Sequence, residues 1–77
     1  MTRKEWTNLF SARVRSRLEY MDMTKTELCE KLGIEHKKYD RWMSGEYTPK
    51  ATDIVNISKI LRCSVSWLID YRERIED

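Results

Sequence analysis

At 77 residues the chain is sized for one domain, near the lower limit of what folds without a disulfide or metal staple. Two glycines and one proline are too few for a turn-dense β fold, so the sequence favours helices. The net charge of +2 neither selects nor excludes a nucleic-acid partner, but Arg3, Lys4, Arg13, Arg15 and Arg17 outnumber Glu5 and Glu19 near the start, while acids predominate in residues 70–77.

No apolar run approaches the ~18 residues of a membrane span, and no hydrophobic stretch follows Met1-Thr-Arg-Lys-Glu5, so neither a span nor a signal peptide is expected. Cys29 and Cys63 lie in apolar-periodic segments without a second Cys or His at metal spacing. Reduced, buried thiols of a cytoplasmic protein are the simplest reading, with no metal and no cofactor.

Phe10, Val14, Leu18 and Met21 recur at helical spacing and predict a first helix over about Trp6–Met21 with a buried stripe. For Arg13, Arg15 and Arg17 the simplest expectation is a solvated face; phosphate contact or an interhelical ion pair is the alternative. Asp22 breaks the pattern and Met23 packs inward. Thr24 opens a capping box with Glu27, so a second helix runs over about Lys25–Leu32, burying Leu28, Cys29 and Leu32 and ending at Gly33.

The apolar stripe resumes at Tyr39, Trp42 and Met43, predicting a third helix over about His36–Met43, with Glu35 as a weak N-cap and Ser44-Gly45 as its stop. Two helices joined by so short a turn must cross steeply, which is a helix-turn-helix. Glu46–Pro49 is a loop. A fourth helix covers about Ala51–Leu61, with Ile54, Ile57 and Leu61 inward and Val55 or Ile60 partly so; Lys50 or Thr52 marks its start. Ser64 caps a short fifth helix carrying Val65, Trp67, Leu68 and Ile69. Tyr71 and Ile75 then form a small apolar strip on a helix end or tail. The fold class is therefore all-α, a five-helix domain.

The ordered series Ser11-Ala-Arg-Val-Arg-Ser16, Thr24-Lys-Thr-Glu-Leu28, Leu32-Gly-Ile34, Arg41-Trp-Met-Ser-Gly45, Pro49 and Leu61-Arg-Cys-Ser-Val-Ser-Trp-Leu68 resembles the phage-repressor-like helix-turn-helix family. That family comprises Cro and repressor N-terminal domains and Xre-like bacterial regulators. The resemblance implies a lambda-repressor-like bundle whose third helix enters the DNA major groove. It also implies a phage- or bacterially encoded, nucleoid-associated regulator, and a repressor that binds an inverted repeat as a homodimer. Departures from the family pattern are informative. Lys25 stands where Gln is usual, and Tyr39 where a small Val or Ile is usual, which would set the two helices slightly apart. Leu18 and Met43 occupy the positions of an Arg–Glu pair, so these two are expected to touch. Arg62 replaces a common Gly at a helix end and predicts a strained or rearranged cap.

Sequence readout needs base-edge contacts, and register needs phosphate contacts. At the family's groove-facing positions stand His36, Lys37 and Arg41; Lys37 and Arg41 share a helix face, and Arg41 can fork onto guanine O6 and N7. Glu35 can accept from cytosine N4, or be only a helix N-terminal charge. Asp40 is expected to pair with Lys37 or a base. Phosphate candidates are Thr24 and Lys25 at the start of helix 2, Lys38 on helix 3, and Ser44, Tyr47, Thr48 and Lys50 in the following loop. The resemblance places a dimer interface at Arg62, Ser64, Trp67, Tyr71 and Ile75, while Trp42 and Trp67 are expected as core anchors. One histidine, no paired nucleophile and no glycine-rich phosphate loop speak against an enzyme. No small-molecule ligand is indicated. The rival is a protein-interaction module of the same fold, such as an antitoxin that masks a partner.

Overall fold

A computed structural model describes residues 2–69. Within them the chain forms α1 (Arg3–Tyr20), α2 (Lys25–Leu32), α3 (His36–Ser44), α4 (Ala51–Leu61) and α5 (Val65–Leu68), and the described residues contain no strand. α1 is the spine of the bundle and packs on α3, α4 and α5, while α2 is held between α3 and α4. Its stripe of Phe10, Val14 and Leu18 meets Leu28 and Cys29 of α2, Tyr39 and Trp42 of α3, Ile57 and Leu61 of α4 and Leu68 of α5 in one buried cluster. Each fully buried aliphatic or aromatic side chain contributes about 1.5–3 kcal/mol, so a short chain depends on every element reaching this cluster.

α1 starts three residues earlier than its apolar periodicity predicts. Thr2 forms a complete capping box with Glu5: the Glu5 N–H donates to Thr2 Oγ1 at 3.1 Å, and the Thr2 N–H donates to Glu5 Oε1 at 2.8 Å. The helix so begun carries Trp6, whose ring stacks on Phe10 with centroids 5.0 Å apart. It also brings buried Thr7 against Gly45, where an added Cβ would lie 3.2 Å from the Thr7 side chain. Gly45 has φ of 87°, so close approach and backbone conformation both favour a glycine there.

Three helices end in the same motif, in which the left-handed residue and its successor donate to carbonyls of the last turn. Asp22 and Met23 donate to Glu19 and Leu18, Gly33 and Ile34 to Glu30 and Cys29, and Arg62 and Cys63 to Lys59 and Ser58. Only the second uses glycine; Asp22 and Arg62 adopt φ of 53° and 54° despite their side chains. The cap strained at Arg62 is thus present as the sequence predicts. Met23, Ile34 and Cys63, which follow these residues, all lie half-buried.

Arg13 and Arg17 depart from the expectation of a solvated face. Both are half-buried and donate to main-chain carbonyls at the far side of the bundle: Arg13 to Trp67, and Arg17 to Leu61 at 3.0 Å and Arg62 at 3.1 Å. The Arg13 guanidinium also lies 4.8 Å from the centre of the Trp67 ring. α1 therefore cross-links the ends of α4 and α5 by charge-assisted hydrogen bonds, a placement set by tertiary packing. Trp42 is buried as expected, whereas Trp67 is only half-buried beneath Arg13, and Val55 of α4 is exposed. Burial pushes the thiols of Cys29 and Cys63 up, and both are free.

Candidate nucleic-acid interface

α2 and α3 meet as the helix-turn-helix that the sequence predicts, with Gly33 at φ of 71° making the turn. The Thr24 cap is complete, Glu27 N–H donating to Thr24 Oγ1 at 3.1 Å and Thr24 N–H to Glu27 Oε1 at 2.8 Å. Glu35 caps α3 without a side-chain hydrogen bond and is exposed. Tyr39 and Trp42 are buried, fixing which way α3 is turned, and His36, Lys37 and Lys38 are left exposed. Arg41 is half-buried.

Lys25 does more than present a charge at the start of α2. Its Nζ lies 2.7 Å from Asp40 Oδ1 and 5.5 Å from the centre of the Tyr39 ring, bridging α2 to the middle of α3. The hydrogen bond to Asp40 raises the Lys25 pKa. Asp40 thus pairs across the helices with Lys25, and not along its own helix with Lys37. A two-residue side-chain link thus ties α2 to α3 through an ion pair. Both side chains are well exposed, so the pair adds little stability.

Arg41 is also engaged. Its Nη1 donates to the Tyr47 hydroxyl at 3.2 Å, its Nε lies 3.7 Å from Glu46 Oε2, and its guanidinium sits 5.1 Å from the centre of the Tyr47 ring. The loop bearing Glu46 and Tyr47 is fixed at several points: Glu46 N–H donates to Ser44 Oγ, Tyr47 N–H to the Arg41 carbonyl, and Arg3 Nη2 to the carbonyls of Gly45 and Glu46. Ser44 Oγ in turn donates to the Arg41 carbonyl at 3.2 Å. Ser44, Tyr47, Thr48 and Lys50 are all exposed. Lys50 is the N-cap of α4; its ammonium accepts nothing, and its N–H donates to Asp53 Oδ2 at 3.0 Å. Lys38 Nζ lies 5.7 Å from the centre of the Trp42 ring.

The helix-turn-helix family model matches residues 14–68, five-sevenths of the chain and all five helices in whole or part. The chain belongs to this Xre- and Cro-like helix-turn-helix family. Members of the family are DNA-binding transcription regulators. One similar protein is the HTH-type transcriptional regulator DicA of Escherichia coli strain K12, 30% identical over 57 residues, which are 74% of this chain and 42% of DicA. The chain therefore spans about two fifths of the length of that relative. No solved structure matches with significance.

His36, Lys37 and Arg41, the residues expected to face the groove, lie in the exposed first turn and the following turn of α3. Asp40, Glu46 and Arg3 also belong to this surface, and sequence reasoning gave none of them its observed partner. The signals were faint: an acid five residues past Arg41, and a cation eleven residues before the matched segment begins. At the other end, Arg62 is exposed, Ser64 Oγ accepts from the Trp67 N–H at 3.0 Å, and Trp67 is half-buried. Tyr71 and Ile75 lie outside the described residues. No described helix is long and apolar enough to cross a membrane.

Proposed function

We propose that this chain is a sequence-specific double-stranded DNA-binding regulator of transcription, a repressor that binds an inverted repeat as a homodimer. The observation that carries the reading is α3 itself. Its apolar side is locked into the core through Tyr39 and Trp42, so that His36, Lys37 and Lys38 are held outward on a rigid helix rather than on a mobile loop. In this reading His36, Lys37, Arg41 and Glu35 meet base edges. Thr24 and Lys25 hold a phosphate at one flank, where helix N-terminal N–H groups and the ammonium act together. Lys38, Ser44, Tyr47, Thr48 and Lys50 hold the backbone at the other. Dimerisation would use Arg62, Ser64 and Trp67 with the Tyr71–Ile75 strip, setting half-sites about 34 Å apart. Such a protein works in the cytoplasm, on the nucleoid, and needs no cofactor.

Selection from random duplexes at two salt concentrations tests this. An enriched palindrome is expected, with log K falling against log salt by several units, because each phosphate contact releases counterions. No enriched sequence and no salt dependence would refute DNA reading and favour a protein-masking module of the same fold. Arg41→Ala should relax preference at one base pair, whereas Lys25→Ala should weaken all sequences alike.

A further inference from the structure

Arg41 carries five N–H donors, and the structure shows how they are shared. The Nε side faces the Glu46 carboxylate and one Nη1 hydrogen faces the Tyr47 hydroxyl. The rest of the Nη1/Nη2 end is not taken up by either partner. Both Nη2 hydrogens and the second Nη1 hydrogen remain as donors for guanine O6 and N7. Glu46 is itself held: its N–H donates to Ser44 Oγ at 3.4 Å and its carbonyl accepts from Arg3 at 3.5 Å. The carboxylate is therefore presented by an anchored loop, and the ring of Tyr47 backs the guanidinium from the same loop.

We infer that Glu46 is a specificity-determining residue: it positions Arg41 so that the guanidinium offers its Nη end to a guanine, and it penalises other placements of that cation. The inference rests on the proposed DNA-reading function. A swing of Arg41 toward a phosphate, the default contact on a non-matching duplex, would abandon Glu46 and leave its carboxylate facing the backbone. A matching guanine incurs neither loss.

The Lys25–Asp40 pair supplies the comparison. Asp40 and Glu46 are equally exposed, with side-chain exposure of 58% each, and each holds a cation of the same surface. Lys25 serves a phosphate and reads no base, so neutralising Asp40 changes charge without changing readout. Glu46→Gln and Asp40→Asn add the same single positive charge and preserve side-chain shape at exposed positions, so both variants should fold, which a thermal melt verifies. Binding of each, and of the unmodified protein, is measured on the selected palindrome and on versions with the Arg41-facing guanine replaced.

For Glu46→Gln, discrimination for that guanine should fall about two- to fivefold, the worth of an exposed ion pair, while non-matching duplex binds more tightly. For Asp40→Asn, all duplexes should gain alike and discrimination should hold. Equal gains on all duplexes with Glu46→Gln, or no change, would overturn the inference and leave the DNA-reading function standing. Absence of any preferred duplex for the unmodified protein would overturn that function and this inference with it.

Discussion

Replacing Arg17 with Met tests whether α1 clamps the far end of the bundle. Methionine keeps much of the aliphatic stem but removes the donors that reach Leu61 O at 3.0 Å and Arg62 O at 3.1 Å. The Leu61 carbonyl is the more sheltered acceptor, and without Arg17 it would be left poorly solvated at about 1–2 kcal/mol. The Arg62 carbonyl is exposed, so its bond is worth a few tenths. A cation at the C-terminus of α4 adds about 0.3–1 kcal/mol. The ring of Tyr20 beneath the guanidinium is itself exposed and adds little. Together the substitution should cost about 1.5–3 kcal/mol, lowering the melting temperature on the order of 10 °C for a domain of this size. Urea denaturation followed by circular dichroism measures it. Arg15→Met, on the exposed side of the same helix, should stay within about 0.5 kcal/mol. A loss below about 0.5 kcal/mol for Arg17→Met, or equal losses for both, would refute the clamp.

The remaining predictions concern the caps and the core. Arg62→Gly should raise the unfolding free energy by about 0.5–1 kcal/mol, and the urea midpoint with it, since glycine relieves the left-handed strain but gives back part of it through a freer unfolded chain; a lower midpoint would mean that the Arg62 side chain supports the cap. Leu18→Ala should cost about 2–4 kcal/mol in the same assay, Leu18 being buried while Met43 is half-buried against the core; a loss below about 0.5 kcal/mol would remove the case for packing in place of an ion pair. Acid should unravel the first turn of α1. The hydrogen bond from the Thr2 N–H lowers the Glu5 pKa from 4.5, so its contribution is full above that value and lost as pH falls through the lower folded-state value. Amide exchange at the α1 N-terminus, compared between pH 6 and pH 3 after correction for intrinsic rates, should show lost protection at the lower pH; unchanged protection would exclude Glu5 as the cause.

Much of this architecture was legible in the chain because it rests on local physics. Thr24 and Glu27 announce a helix start through a reciprocal hydrogen bond within four residues, and Gly33 announces a stop through a backbone angle that favours it. The i, i+4 spacing of Phe10, Val14 and Leu18 marks a buried stripe wherever the partner lies. α2 and α4 accordingly occupy the segments predicted, while α3 gains one residue and α1 an extra turn from a cap at Thr2 that apolar spacing could not reveal. The family resemblance, too, was readable from ordered motifs alone.

What only the folded chain decided is where the long cations go. Arg13, Arg17, Lys25 and Arg41 have stems long enough to reach several acceptors, and sequence spacing gives no rule for choosing among carbonyls and carboxylates far along the chain. Packing of α1 across α4 and α5 brings two of them to helix-end carbonyls 44 to 54 residues away. Packing of α2 on α3 delivers Lys25 to Asp40, and the turn at Gly45 delivers Glu46 and Tyr47 to Arg41. Periodicity and capping thus set the helices and their buried faces, because those depend on neighbours three or four residues away. The charged contacts on the candidate DNA-reading surface depend on neighbours brought together in space, and tertiary structure alone assigned them.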